Sequence, residues 1–379
     1  MSSGSLGRSQ RKQRETMDAN KRYASSTDVA RLAGVSQSAV SRTYKTGGRV
    51  SEETRQKVLA AAEQLNYRPS LIPQIMLSHR SNLVAVVIGG MHNPFYSELL
   101  EDFTMKLQQT ENQVLLVHAD SGHAFDEIVP KLASYRVDAI VSGLSILSDS
   151  SAAELAKLKI PVVSFNTHVT NEWVSSVCCN NLLAAKSIAD LFLERGARSF
   201  GFISGPSTSP ASEDRYAGFR DRLQERGVTQ LSVIRADYRY EAGFRAAIEM
   251  FQGRNKPDAV FCANDLIAMG AIDAIRKSIG LRVPEDVLIA GFDDIPAAAW
   301  SAYDLTTFVQ DGPKMVDEAL AILAAANASP APVGGVCRIV DARLVERGTT
   351  TKLPARRHTR APARADLIAA VAGSAPVGA

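Results

Sequence analysis

The chain has 379 residues, 45% of them hydrophobic, and a formal net charge of +3 at pH 7. That is enough length and apolar content for two or three domains with large cores, but no apolar run nears the roughly 20 residues of a membrane-spanning helix, so a helical membrane protein is excluded. Four cysteines (Cys178, Cys179, Cys262, Cys337) make no disulfide framework for a chain this long, and neither they nor the six histidines fall at metal-ligand spacing.

The charge is unevenly placed. Residues 1–80 carry 14 Lys and Arg against 6 Asp and Glu, which leaves the rest of the chain net acidic. A basic module on an acidic body suits a chain that meets phosphate at one end, although a basic tail would give the same count. Residues 1–24 are dominated by Ser, Arg and Gln, which predicts a disordered arm. They contain no apolar core of a secretory signal, so a cytoplasmic protein is expected. Ser25, with Asp28 three positions on, predicts a reciprocally capped helix that carries Val29, Ala30, Leu32 and Ala33 and stops at Gly34. Ser36 caps a second helix, Gln37 to Tyr44, with Val40 facing inward. The basic loop Lys45-Thr46-Gly47-Gly48-Arg49 leads to Ser51, the cap of a third helix. There Val58, Ala61, Ala62 and Leu65 fall at i, i+3, i+4 and i+7, one apolar stripe. Asn66-Tyr67-Arg68-Pro69 closes an all-α domain over residues 25–69.

Two short helices around a tight turn at Gly34-Val35 fit a helix-turn-helix, whose second helix enters the major groove of DNA. Its outward residues Gln37, Ser38, Ser41 and Arg42 suit base edges and phosphates, since Gln can pair with adenine and Arg with guanine. By spacing alone, the same face also suits the solvated side of an ordinary three-helix module.

Residues 70–81 form a connector, and from Asn82 the texture changes. Continuous apolar runs (Leu83–Ile88, Val114–Val117, Ala139–Val141, Val162–Phe165, Phe200–Ile203, Ala259–Cys262, Val287–Ala290) alternate with helical stretches such as Phe95–Thr110, Leu182–Arg195, Asp265–Ser278 and Pro313–Ala326. Unbroken rather than alternating apolar strands indicate parallel sheets covered on both faces. Over some 265 residues this texture predicts two doubly wound lobes. Residues 351–379, rich in Ala, Pro and Arg, have no heptad pattern and read as a disordered tail.

The run Thr27-Asp28-Val29-Ala30-Arg31-Leu32-Ala33-Gly34-Val35-Ser36, with Ala39-Val40-Ser41-Arg42, Val50-Ser51-Glu52-Glu53-Thr54-Arg55 and Asn66-Tyr67-Arg68-Pro69, resembles the DNA-binding domain of the lactose-repressor (LacI/GalR) family. The resemblance implies that Gln37, Ser38 and Arg42 face bases, while Ser41, Lys45 and Arg49 lie near the backbone. It makes residues 70–81 a hinge that folds on operator DNA, with Met76 at the position of the family's minor-groove leucine wedge. Pro73 stands where the family usually has alanine, and proline is tolerated in a helix's first turn.

Residues 82–350 resemble the family's effector and dimerisation domain, itself similar to periplasmic binding proteins. The landmarks in order are Asn93-Pro94-Phe95-Tyr96, Asn180-Asn181, Gly205-Pro206, Arg215-Tyr216-Ala217-Gly218-Phe219, Ala263-Asn264-Asp265, Gly291-Phe292-Asp293-Asp294, and Leu305-Thr306-Thr307 with Gln310. Each sits where a strand meets a loop or helix, and ligands bind at that carboxyl edge of open parallel sheets. Phe95, Tyr96 and Tyr238 offer flat faces that stack on a sugar or base ring, and Arg215, Asn264 and Asp293 offer donors and acceptors. After Val162–Phe165, sugar-binding relatives carry an Asp-Arg clamp, whereas this chain has Asn166-Thr167, a departure from the standard pyranose or ribose pocket.

The fold expected is therefore an all-α helix-turn-helix domain joined to an α/β periplasmic-binding-protein-like domain with two doubly wound parallel-sheet lobes. The function expected is a dimeric regulator, a repressor, that binds a palindromic double-stranded DNA operator and a small polar effector, without a cofactor, metal or membrane. Two rivals share parts of this pattern. An enzyme on a Rossmann-like sheet would need GxGxxG after a strand, a P-loop or a GxSxG elbow, and Gly89-Gly90 alone is too weak a signal. A transport-type solute-binding protein would share the two lobes but not the basic helical N-terminus.

Overall fold

The computed structural model describes residues 23–45, 47–69, 80–89, 91–118, 124–143, 149–167, 171–253, 255–328 and 335–351, with side chains throughout except at 124–127 and 149–152. Pro73 and Met76 of the expected hinge, the arm up to residue 22 and the tail from residue 352 lie outside the described residues. The chain divides into two compact units, one ending at Ser81 and the other beginning at Asn82.

The first unit is three helices, α1 (Ser26–Ala33), α2 (Gln37–Tyr44) and α3 (Glu52–Gln64). Local chemistry sets every boundary. Ser25 accepts from the Asp28 N–H while the Asp28 carboxylate accepts from the Ser25 N–H at 2.9 Å, a complete capping box. Gly34 ends α1 at φ +66°, a left-handed conformation that costs glycine little. Ser36 and Ser51 cap α2 and α3 through their side chains alone, which accept from the Ala39 and Thr54 N–H groups. Val29, Ala30, Val40, Val58, Ala61 and Ala62 meet in a small core, with Tyr44 and Tyr67 edge to face at 5.9 Å on its flank.

The second unit holds two parallel sheets. The first lobe is built from β1 (Leu83–Ile88), α4 (Pro94–Gln109), β2 (Gln113–His118), α5 (Ala124–Ser134), β3 (Ala139–Ser142), α6 (Asp149–Leu158), β4 (Val162–Phe165) and β5 (Val174–Cys179). The chain then crosses into the second lobe with α7 (Asn181–Glu194), β6 (Phe200–Ser204), α8 (Pro210–Glu225), β7 (Leu231–Arg235), α9 (Tyr240–Gln252), β8 (Ala259–Cys262), α10 (Asp265–Ala274), β9 (Leu288–Ala290) and β10 (Thr307–Val309). It returns to the first lobe for α11 (Gly312–Ala328) and β11 (Cys337–Val340), and ends on β12 (Arg343–Val345) against β10. The first sheet has the order β11-β5-β4-β3-β1-β2 and the second β7-β6-β8-β9, every pairing parallel.

Parallel strands need covering on both faces, which is why β3, β4, β5 and β8 are buried along their whole length. Helix α11 lies on β4, β5 and β11 and against α4, where Lys106 pairs with Asp317 at 2.6 Å. In the first sheet the direction of winding reverses between β1 and β3, and in the second between β6 and β8. Each reversal leaves a crevice at the carboxyl ends of the strands, where loops part in opposite directions.

The antiparallel pair β10–β12 adds to the expected parallel architecture, and single bridges join it to the second sheet at Ala290–Thr306 and Asp293–Val309. Three connections pass between the lobes, at Asn180, at Gln310-Asp311 and at Asp341. The first and third are tied together: the Asn180 N–H donates to the Val340 carbonyl, and the Asn180 amide to Asp341 at 2.8 Å.

Candidate nucleic-acid interface and ligand site

In the first unit, α2 buries Ala39, Val40 and Thr43, which turns Gln37, Ser38, Ser41 and Arg42 to solvent together. The exposed side chains are partly pre-arranged. Gln37 donates to the Ser26 hydroxyl at 2.9 Å, which ties the start of α2 to the start of α1. The Arg42 guanidinium folds back on Ser38, donating through Nε to the Ser38 carbonyl at 3.2 Å. Arg42 therefore lies along the helix.

Lys45 and Arg49 are exposed on the loop that follows α2. That loop is clamped rather than open. The Gly48 N–H donates to the Lys45 carbonyl at 2.9 Å, and a Cβ on Gly48 would stand 2.0 Å from the Arg42 carbonyl oxygen. Only glycine fits there, so the loop holds two cations beside the exposed face of α2. Anchored on a three-helix core, this surface offers hydrogen-bond donors and positive charge with no carboxylate on α2 itself.

In the second unit, the residues nominated from sequence converge on the carboxyl ends of both sheets. Asn93 caps α4, its Oδ1 accepting from the Phe95 N–H at 3.2 Å. The cap sets the first turn so that the Phe95 ring enters the lobe core while Tyr96 stays half-buried beside it, the two rings 5.4 Å apart. Of that pair, Tyr96 is the ring at the mouth of the cleft and Phe95 its packing support.

Arg215, on α8, is 3% exposed. Its Nε donates to Asn181 Oδ1 at 2.8 Å, an Nη donates to the Ala263 carbonyl, and the guanidinium carbon lies 3.5 Å over the Phe292 ring. A buried guanidinium held on three sides is a fixed donor. Asp293, next to Phe292, is also buried and accepts from Gln310 Nε2 at 2.7 Å and from Asn93 Nδ2 at 2.8 Å. Burial pushes its carboxyl above the usual range, and the Arg215 charge and the two amides pull it partly back.

Asn264 caps α10 through Oδ1, which accepts from the Ile267 N–H at 2.9 Å. Its Nδ2, in a side chain 1% exposed, finds no partner among the described residues. A buried amide donor left unpaired costs about 1–3 kcal/mol, so an acceptor that reached it would bind with that advantage. Tyr238 stands against Gly205, where a Cβ would meet its ring at 2.5 Å, and its hydroxyl bonds Ser209 at 2.6 Å. Burial pushes both the Tyr96 and Tyr238 phenols up, so both rings are neutral. Asn166 bonds Gln310 at 3.5 Å and accepts from the Cys179 N–H at 2.9 Å.

Sequence reasoning counts Asn93, Asn181, Phe292 and Asp265 among the landmarks but gives none of them a role in the site. Asp265 is fully buried behind Asn264 and accepts from Thr307 at 2.5 Å and from the Ile295 N–H at 2.9 Å, which pins the segment carrying Asp293. Burial pushes its carboxyl well above the ordinary range. The arrangement as a whole is a cleft with aromatic walls, one fixed guanidinium, one carboxylate and an unmet amide donor. It suits a small polar molecule. Among the described residues no group of three or more His, Cys, Asp or Glu is placed to hold a metal, and no helix is long and apolar enough to cross a membrane.

Comparison with known proteins gives matches in both units. Residues 27–70 match the bacterial regulatory proteins of the lacI family, and residues 189–350 match the periplasmic binding protein-like domain. The HTH-type transcriptional repressor CytR of Escherichia coli (strain K12) is 29% identical over 346 residues, covering 89% of this chain and 100% of that protein. The HTH-type transcriptional regulator DegA of Bacillus subtilis (strain 168) is 31% identical over 289 residues, covering 75% of this chain and 85% of that protein. Among solved structures, the lac repressor dimer bound to operator and the anti-inducer ONPF aligns with a TM-score of 0.78 at 25% identity, over 87% of this chain and 100% of that one.

Proposed function

The chain belongs to the lacI family of bacterial regulatory proteins, and from that membership we propose which of its residues do the family's work. It is a DNA-binding transcriptional regulator rather than an enzyme, a repressor that acts as a dimer on operator DNA in the cytoplasm. Gln37, Ser38 and Arg42 read bases, while Ser41, Lys45 and Arg49 hold the phosphate backbone. The effector is a small polar molecule bound between the lobes by Arg215, Asn264, Asp293, Asn166 and Gln310. It stacks against Tyr96 and Tyr238, and Phe95 supports Tyr96 from behind. Met76 completes the set as a minor-groove wedge.

The observation that carries the effector site is the meeting of a buried guanidinium, a buried carboxylate and an unpaired amide donor between two phenol rings. Of the three only the Asn264 amide donor lacks a partner among the described residues, and a buried donor left unmet costs free energy unless a ligand completes it. Regulation requires that the ligand favour one arrangement of the lobes over another, because equal affinity for both would shift nothing.

The test is operator selection with the purified full-length protein, repeated across a metabolite panel, followed by Arg215→Ala. The variant is expected to lose at least about tenfold in ligand affinity, as when a buried polar set is left incomplete, and to bind operator as before without ligand. An Arg215→Ala protein that answers the ligand fully removes Arg215 from the site.

A further inference from the structure

We infer that the cleft is latched by one continuous chain of side-chain hydrogen bonds from lobe to lobe, in which Asn93 and Asn166 are the positioning residues. From the first lobe, Asn93 Nδ2 donates to Asp293 Oδ2 of the second lobe at 2.8 Å. Asp293 Oδ1 accepts from Gln310 Nε2, on a connection between the lobes, at 2.7 Å. Gln310 Oε1 faces Asn166 Nδ2 of the first lobe at 3.5 Å, the slackest link, and Asn166 Oδ1 accepts from the Cys179 N–H at 2.9 Å, one residue before the Asn180 connection.

The direction of every donor is fixed from the two ends. At one end the Phe95 N–H claims Asn93 Oδ1, so the Asn93 amide nitrogen must face Asp293. At the other end the Cys179 N–H claims Asn166 Oδ1, so the Asn166 amide nitrogen must face Gln310 and turn the Gln310 nitrogen towards Asp293. Both Asp293 oxygens then face donors, which suits a carboxylate and leaves an acid proton nowhere to go. Asn93, Asp293, Asn166 and Gln310 are all buried, so breaking a link leaves its partner unpaired away from water. A second contact crosses the cleft beside the chain, from His92 Nε2 to the Tyr238 carbonyl at 3.2 Å.

The chain also gives a physical reason for an amide at position 166. A carboxylate there would still accept from Cys179, but the Gln310 amide would then lie between two carboxylates. Whichever way it turned, its oxygen would face one of them. This latch deepens the effector reading above, since Asp293, Gln310 and Asn166 are shared and an entering ligand must break or extend the chain. Its test uses neither ligand nor operator, so either idea can fail alone.

The experiment is hydrogen exchange by mass spectrometry on the full-length protein carrying Asn93→Ser, Asn166→Asp, or both. Serine keeps a capping oxygen for α4 but is too short to reach Asp293. Exchange is read at the Phe95 and Cys179 ends as a ratio to the buried strand Ala259–Cys262, which cancels any general loosening. Each single variant is expected to speed exchange about tenfold or more at the opposite end, since Asn93→Ser leaves a buried carboxylate short of a donor and Asn166→Asp sets a carboxylate against the Gln310 oxygen. The double variant is expected to match the larger single effect rather than their sum, because either break opens the same chain. Effects confined to the mutated end, additive effects, or unchanged exchange would each overturn the latch.

Discussion

Single residues show how the sequence carries information that only the fold completes. Whereas Arg215 lies inside α8 and is nominated through the family resemblance, Asn264 and Asp293 could be nominated from their places after strands, because polar residues at the carboxyl edge of a parallel sheet face a crevice. The Asn93–Asp293 bond could not, since its partners are 200 positions apart and each looks like a loop or capping residue by itself. The cysteines are plainer. Cys178, Cys179 and Cys262 are buried and Cys337 is exposed. Burial pushes the Cys178 and Cys179 thiols up to about 12, and that of Cys262 up as well, so none supplies thiolate at neutral pH. A maleimide is therefore expected to label one thiol per native chain promptly, at Cys337, with the other three appearing only in denaturant. Mass mapping of the labelled peptide checks it, and prompt labelling at Cys179 would contradict the packing around Asn166. Gly48 makes a sharper demand. In Gly48→Ala the new Cβ would collide with the Arg42 carbonyl, so the loop must move at a cost of about 1–3 kcal/mol. Operator affinity should fall with it, because Lys45 and Arg49 ride on that loop, and a filter-binding titration reads the loss.

At the scale of elements, most of the pattern was legible for a local reason. Strands β1, β4 and β8 begin and end where their apolar runs do, and the three N-terminal helices start at the serines that cap them. The strands absent from the sequence reading share a different property. In β5, Val174–Cys179, the sequence Val-Ser-Ser-Val-Cys-Cys has two serines that interrupt its apolar run, yet the strand is fully buried between β4 and β11. Edge strands β7 and β11 bury none and one of their residues, respectively, while β10 and β12 are three residues each. Such strands form because the sheet beside them presents unpaired backbone groups, which no local window reports. The helical unit is the reverse case, locally well specified but small. Its core cluster has six buried residues, and a domain this short buries a modest share of its surface. Val58→Ala removes two methyl groups from that core and is expected to cost about 2 kcal/mol. Calorimetry should show a lowered or lost first transition, with the transition of the α/β unit in place. A single shifted transition for both would mean that the two units unfold together.

The whole molecule reads DNA with a module too small to be selective alone. One recognition helix reaches three or four base edges, so useful specificity requires two copies on a two-fold site. Under the assignment proposed above, base reading belongs to α2 in the first unit and pairing to the α/β unit, so the two tasks would lie in different parts of the chain. A consequence follows for operator geometry. If two α2 helices read successive major grooves on one side of the duplex, the half-sites must keep their angular relation about the DNA axis. Inserting about 5 base pairs at the centre of the selected operator turns one half-site by half a helical turn and presents it to the opposite side. Binding should then fall by roughly 1,000-fold or more, towards the non-specific level, because only one half-site can be engaged. Inserting about 10 base pairs restores the angle but lengthens the span, so recovery there would measure how far the connection between the units can stretch. Non-specific binding, carried by Lys45, Arg49 and their neighbours through counterion release, should be the same on all three DNAs and equally sensitive to salt. Equal affinity for the original and half-turn operators, measured at a single salt concentration, would show that one chain reads one half-site and that the dimer is not the unit of recognition.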